Sequence, residues 1–181
     1  RSLKMAEPTY CKEKNAVYDA ADCERKKKRM REIFDEAVMD GESYDLLYAY
    51  MTTSKFEKGF LFDTNTTSFY YYIVGYRTSD DQILLVQVDH DLKEYSEAYR
   101  IDMDKIVNVS YDPKICQLCL EYEKGYGTFG ELLKIKGTDA NTKFGPKNIQ
   151  QKEERERFLD FAEHLRDVLK DKGYRLDKWK R

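Results

Sequence analysis

The stretch "FYYYIVGYRTSDDQILLVQVD", residues 69–89, indicates the fold class of this chain. Residues 69–77 are aromatic and β-branched, a composition that favours strands. Residues 78–81 are polar and favour a turn, and the apolar run at residues 82–89 predicts a second strand. The stretch therefore predicts an antiparallel hairpin near the centre of the chain.

Further short strands are predicted on the C-terminal side of this hairpin, each bounded by turn residues. They lie at residues 95–101, 105–111, 115–122 and 131–136, and residues 90–93 are predicted to form a turn. On the N-terminal side, residues 52–68 are predicted to be a loop with a short strand at residues 60–62.

An amphipathic helix is predicted on each side of the strands. The first begins at Asp22 as N-cap and ends at Gly41, and a short helix capped by Ser43 follows. The last helix is capped by Asn148 with Gln151 as its reciprocal partner, and it ends at Gly173. The apolar positions of the three helices are Met30, Ile33, Phe34, Ala37 and Val38, then Leu46, Leu47, Tyr50 and Met51, then Phe158, Phe161, Ala162, Leu165, Val168 and Leu169.

A run of short strands followed by one amphipathic helix resembles the pleckstrin-homology superfold, in particular bacterial PH-like domains. The residues that carry the resemblance are "AYRIDMDKIVNV" (98–109), "ICQLCLEY" (115–122) and "RFLDFAEHLRDVL" (157–169). It covers residues 56–172. It implies an α+β fold: a PH-like antiparallel, partly open β-barrel capped by a C-terminal α-helix and preceded by an N-terminal helical arm. Residues 1–55 would form the arm and its helices, and residues 56–181 the barrel domain.

Size and charge narrow the function classes. The chain has 181 residues, 36% of them charged and interleaved in sign, with a net charge of -2, which disfavours nucleic acid as a partner. It holds no apolar run of about 18 residues, so no transmembrane helix is predicted. Because it begins with Arg1, we expect a preceding segment, which leaves a signal, an anchor or another domain open. We expect a cytoplasmic protein, or one held at a membrane by that segment.

A basic cluster lies in the first predicted helix. Such clusters bind anionic lipid or nucleic acid, or they form the solvated face of a helix whose nearby acids neutralise them. We favour the solvated face and keep a membrane surface as an alternative. The cluster comprises Arg25, Lys26, Lys27, Lys28 and Arg29, with Arg31 beyond.

The glycines of residues 125–130 have the G-x-G-x-x-G spacing of nucleotide-binding loops. The segment that follows is predicted to be a strand, whereas a dinucleotide fold requires a helix there. The chain also lacks the H-R-D and D-F-G motifs of kinases. A hairpin loop is therefore predicted. Tyr126 and Phe129 at its tip either contact a partner or a membrane, or fold back onto the sheet, which we favour.

The C-x-x-C motif at residues 116–119 lies in a predicted strand rather than on a metal-binding knuckle. Residues i and i+3 of a strand face opposite sides. Cys116 is predicted to face inward with Leu118 and Leu120, and Cys119 to face outward. We expect free thiols and predict no metal, no cofactor and no catalytic residue.

The sequence thus predicts a non-catalytic binding or scaffolding module whose partner is an unidentified protein or a second copy. The turn at residues 78–81 is acidic, which argues against a phosphoinositide ligand. The alternatives are a membrane-proximal domain that binds anionic lipid, and an enzyme that uses residues 125–130. A filled barrel with an exposed sheet edge or groove favours the interaction module, and a deep pocket with convergent polar groups favours the enzyme.

Overall fold

The computed structural model describes residues 19–57, 61, 64–126, 132–139 and 149–171, and for residues 52–57 and 64–68 it describes the backbone. Two helices flank a set of strands, with short 3-10 turns at Gly41–Ser43 and Met103–Lys105. The elements are α1 (Ala20–Ala37), β1 (Asp45–Glu57), β2 (Thr64–Arg77), β3 (Gln82–Val88), β4 (Tyr99–Arg100), β5 (Ile106–Asp112), β6 (Gln117–Tyr122), β7 (Leu132–Gly137) and α2 (Lys152–Asp171).

The strands form one antiparallel seven-stranded sheet in the order β4-β3-β2-β1-β7-β6-β5. Each neighbouring pair except β1 and β7 is consecutive in the chain, so hairpins account for most of the topology. The sheet curls into a half-barrel, with one helix before it and one after it. The predicted α+β class, the partly open barrel and the two flanking helices are confirmed. No described helix is long and apolar enough to cross a membrane.

The inner face of the half-barrel is filled by apolar side chains. Every strand except β4 contributes buried residues to this core, and α2 closes it with its apolar stripe. Phe158 and Phe161 pack against Tyr76, with ring centroids 5.3 Å and 4.9 Å from its own. The residues of α2 in this core are Phe158, Phe161, Ala162, Leu165 and Leu169.

The outer face of β1–β3 carries a second core under α1. Ile33 and Phe34 of α1 are fully buried there. Tyr48 of β1 and Tyr71 of β2 stack with their planes 3° apart in the same core. The predicted apolar stripe of the first helix therefore packs on the sheet, and this half of the sheet is buried on both faces.

Strand β1 corrects the prediction for residues 45–57. The predicted short helix is wrong, because Leu47 and Ala49 face the inner core while Tyr48 faces the outer core. A short apolar run does not distinguish a helix from a strand buried on both faces. The predicted loop is also wrong where β1 and β2 extend into it, and the strand predicted at residues 60–62 lies largely outside the described residues. β1 crosses the proposed boundary between residues 55 and 56, and that division stays a prediction.

Several element ends differ from the prediction. Asp19, rather than Asp22, caps α1, since its carboxylate accepts from the N–H groups of Ala21 and Asp22. α1 ends at Ala37, and Gly41 begins a 3-10 turn instead of ending the helix. The strand predicted at residues 95–101 is reduced to β4 and one bridge between Tyr95 and Val88. The caps predicted at Asn148 and Gly173 lie outside the described residues.

Candidate functional site

The outer face of β5, β6 and β7 is the half of the sheet that α1 does not cover. In the strand register, Ser110, Cys119 and Lys134 lie side by side across the three strands. Gln117 lies opposite both Asp112 and Lys136 and continues the pattern one row further. Directly opposed residues share a face, so these two rows form one polar surface.

A groove of about 550 Å³ lies on this surface at the turn between β5 and β6. We call it the outer groove. Lys114 and Lys134 supply positive charge and Asp112 negative charge, while Pro113 supplies apolar contact area. The residues lining it are Ser110, Tyr111, Asp112, Pro113, Lys114, Gln117, Cys119 and Lys134.

The turn that forms one end of the outer groove is fixed locally. The backbone N–H of Lys114 donates to the Asp112 carboxylate at 2.9 Å. Pro113 between them fixes its own φ, as a turn residue does. The Arg166 guanidinium of α2 lies 5.1 Å from the Tyr111 ring centroid and orients this ring at the sheet edge. The groove is therefore a pre-formed feature of the fold.

Cys119 is the one thiol among the described residues that line the outer groove. Burial raises its pKa, against smaller opposing effects of a hydrogen bond with Ser110 and the charge of Lys134. Burial also raises the pKa of Cys116. A raised pKa keeps both side chains as thiols, and the thiol is the unreactive form. Neither cysteine therefore has the lowered pKa that activates a nucleophilic thiol.

The cysteines face the directions that their spacing predicts. Cys116 lies in the inner core with Leu118 and Leu120, although it belongs to the turn before β6, with φ of 49°. Cys119 lies on the outer face. Both are free thiols, as is Cys23, while Cys11 lies outside the described residues. In the part of the chain that the structure describes, no cluster of three or more potential metal ligands occurs.

The basic cluster of α1 is divided among local partners. Arg25 and Lys26 both pair with Asp22, at 2.9 Å and 2.7 Å. Arg29 turns toward the sheet and donates from Nε to the Leu92 carbonyl at 3.2 Å. Arg25 keeps 73% of its side chain exposed, and Lys28 is also exposed. The cluster thus presents a smaller positive surface than its sequence suggests.

Lys27 connects the two helices. Its Nζ lies 2.8 Å from the Glu154 carboxylate of α2. Burial lowers the pKa of Lys27, but the hydrogen bond and the charge of Glu154 outweigh burial and raise it overall. A residue predicted as a possible lipid contact therefore serves as a link between α1 and α2.

The glycine loop joins β6 to β7, which pair as an antiparallel hairpin. Gly125 adopts φ of 87°, a conformation that glycine tolerates without cost. Tyr126 is 56% exposed, and the Lys105 ammonium lies 4.2 Å from its ring centroid. The hairpin context is as predicted, and the contact predicted between Tyr126 and the sheet stays a prediction. Phe129 lies outside the described residues.

The acidic turn after β2 forms ion pairs and hydrogen bonds within the chain. Arg77 pairs with Asp80 and Asp40 at 2.7 Å each, and its hydrogen bonds hold the pKa of both carboxyls below the ordinary value. His164 of α2 lies 2.6 Å from Asp81. The packing of α2 brings these two residues together, although they are distant in the chain.

Sequence reasoning missed the outer groove. Its residues come from three strands and one turn, and the prominent signal among them is the Asp112-Pro113 pair, which marks the turn. Nothing in the local pattern places Lys134 beside Ser110. Comparison with protein-family models, with curated proteins and with solved structures gave no match. The functional argument therefore depends on the geometry of the described residues.

Proposed function

We propose that this chain is a non-catalytic binding module, that its partner is a protein, and that the partner contacts the outer groove. The observation that carries this proposal is the contrast between the two sides of the β5–β7 half-sheet. The inner side is filled by apolar side chains and α2. The outer side carries a groove with charged and polar groups.

The PH-like resemblance belongs to this proposal. The strand order and the helix after the last strand are consistent with it. A fold hosts many functions, so the resemblance alone chooses no ligand. It adds the expectation of a module that binds rather than catalyses, and the filled inner face supports that expectation.

The chemistry of the groove favours an extended protein segment that carries carboxylates. Lys114 and Lys134 line the groove, and Lys136 lies on the same face in the next row. Asp112 is the one acidic residue among the described residues of the lining, and its carboxylate already accepts a hydrogen bond from the backbone of the turn. Charge complementarity therefore favours an acidic partner.

Selection from a library of displayed peptides tests this proposal. We expect the full chain to enrich peptides rich in Asp and Glu. Their affinity is expected to fall roughly tenfold or more in the Lys114→Glu/Lys134→Glu variant, because the two positive charges of the groove become negative. The variant Lys28→Glu/Lys93→Glu carries the same charge change on surfaces away from the groove, and it should bind as the unmodified chain does.

Two outcomes of the selection contradict the proposal. One is enrichment of no peptide, or of peptides without acidic residues. The other is equal binding by the groove variant and the unmodified chain. Vesicles of anionic phospholipid, run beside the peptides, address the membrane alternative. Vesicle binding that is lost in Arg25→Glu/Lys28→Glu would favour a lipid surface, since these are the exposed members of the basic cluster.

A further inference from the structure

The outer face of β7 carries one apolar and two basic side chains in a line. Leu133 and Ile135 of this strand are buried in the core of the half-barrel. Alternate residues of a strand face opposite sides, so Leu132, Lys134 and Lys136 face outward. Leu132 is 37% exposed, Lys134 is exposed and Lys136 is partly buried. We call these three residues the β7 face.

The β7 face belongs to the same surface as the outer groove. Lys134 lines the groove. Lys136 lies in the next row, where Gln117 and Asp112 continue across β6 and β5. Leu132 lies in the row on the other side of Lys134. A segment that binds in the groove and runs along β7 therefore contacts all three residues of the β7 face.

The two ammonium groups of the β7 face are available to a partner. In the part of the chain that the structure describes, neither Lys134 nor Lys136 forms an ion pair, and the Lys136 ammonium lies 5.5 Å from the Tyr50 ring centroid. Leu132 lies opposite the exposed Glu121 of β6, which places negative charge at the apolar end. The β7 face thus has a basic end and an apolar end beside an acid.

The spacing of the β7 face matches the period of an extended chain. Residues two positions apart in a strand lie about 7 Å apart and on the same side. An extended partner has the same period, so its alternate side chains each meet one residue of the β7 face. Residues two positions apart in a helix do not share a side. The β7 face therefore favours an extended segment over a helical one.

We propose that the partner segment is extended and carries two carboxylates two positions apart, with an apolar residue two positions beyond them. The carboxylates pair with Lys134 and Lys136, and the apolar side chain packs on Leu132. Glu121 repels a carboxylate at the apolar end, which sets the order of the three positions. This pattern rests on the proposed function and names the partner that the groove selects.

Fluorescence polarisation with labelled synthetic peptides and the full chain tests the pattern. Each peptide contains one Leu, two Glu and serine spacers, so that composition and charge are constant. Two peptides have Glu at alternate positions, with Leu two positions before or after them, and in the others the two Glu are adjacent or three positions apart. We expect the better alternating peptide to bind roughly fivefold or more tightly than the other spacings, because alternate side chains share a side.

Single charge reversals test which lysine meets which carboxylate. In Lys134→Glu, binding should be restored when the peptide Glu nearer to its Leu is replaced by Lys, because that position faces residue 134. In Lys136→Glu, the Glu farther from the Leu should be the one whose replacement restores binding. Lys93→Glu makes the same charge change at a side chain 76% exposed after β3, and it should bind the original peptide as the unmodified chain does. Circular dichroism of each variant checks its fold.

Three results would overturn the pattern. Equal binding of all spacings, still lost in Lys114→Glu/Lys134→Glu, would leave the proposed function in place and remove the pattern. Equal restoration of both single variants by either Lys peptide would show attraction between charges without a fixed register. Binding of none of these acidic peptides would contradict the proposed function itself, and the pattern with it.

Discussion

Gly75 sets how closely α1 approaches the sheet. A Cβ atom at this position would lie 2.0 Å from Cζ and 2.4 Å from Cε2 of Phe34. Phe34 is fully buried between α1 and β2, and its ring meets the edge of Tyr44 at a centroid distance of 5.7 Å. The position therefore requires glycine. The buried Phe34 ring has no free space into which it could move to make room for a Cβ atom.

We expect Gly75→Ala to destabilise the protein by about 1–3 kcal/mol through overpacking. Phe34→Ala alone should cost about 3–5 kcal/mol because it empties a buried site. The double variant should lose less than the sum of the two, since the new methyl group then enters the space of the ring. Urea unfolding followed by circular dichroism gives all three free energies. Strict additivity would show that the two sites do not interact as described.

Gly75 also shows how much of the packing can be predicted from a single residue of the sequence. A glycine inside a strand pattern is a signal of close backbone approach. The sequence "YYYIVGYR", residues 70–77, carries that signal. The identity of the neighbour does not follow from it, because Phe34 lies on a helix far along the chain. The local sequence predicts that a neighbour packs closely against Gly75, and only the tertiary structure identifies that neighbour as Phe34.

At the scale of elements, the Gln151 side chain, just before α2, forms hydrogen bonds with β1 and with the segment that follows β7. Its side chain is buried, and its Oε1 accepts from the Tyr48 N–H at 3.0 Å. Its Nε2 donates to the carbonyl oxygens of Tyr48, at 2.6 Å, and Thr138, at 2.9 Å. The predicted reciprocal capping with Asn148 stays a prediction because Asn148 lies outside the described residues, and within them this side chain bridges β1 and the end of β7.

Replacing Gln151 with Leu should destabilise the protein by about 2–4 kcal/mol. The change removes the partner of the buried Tyr48 N–H and of the Thr138 carbonyl, while the Tyr48 carbonyl keeps its hydrogen bond from the Thr138 N–H. Chemical unfolding at neutral pH measures the loss. Gln150→Leu, at an exposed neighbouring position, should change stability by less than about 0.5 kcal/mol. Equal effects of the two substitutions would contradict the role given to the Gln151 side chain.

The elements differ in how far the sequence predicts them. α2 and the strands β2, β3, β5, β6 and β7 follow from periodicity and turn residues, because both are properties of neighbouring positions. β1 does not follow from the sequence, because α1 and α2 bury its two faces. Apolar and polar residues therefore do not alternate along it. β4 is shorter than predicted, since it pairs with β3 through Leu84 and Leu85 alone.

At the scale of the whole molecule, buried tyrosines dominate the response to alkali. Burial raises the pKa of Tyr72 to about 12. Burial also raises the pKa of Tyr48, Tyr76 and Tyr122. An ionised phenol in these apolar sites would lack the solvation it has in water. These residues occur in both cores, so the effect extends across the sheet.

We expect the protein to lose stability as pH rises above about 10. The unfolded chain releases its phenolic protons near pH 10, whereas folded Tyr72 holds its proton to about pH 12. The unfolded state therefore binds fewer protons in this window, and stability falls with rising pH. Tyrosinate absorbance and circular dichroism, followed in one titration, should report the same transition. Ionisation of all fifteen tyrosines near pH 10 with unchanged circular dichroism would contradict the burial.

The sequence by itself determined the α+β class, the apolar stripes of both helices, most strands and the hairpin context of the glycine loop. These features depend on residue spacing and on turn chemistry, which act over a few positions. Only the tertiary structure decided the β1 strand, the Lys27–Glu154 link, the Gln151 hydrogen bonds and the outer groove. Each of these depends on strand register and helix placement, which bring together residues that are distant in the chain and that no local pattern connects.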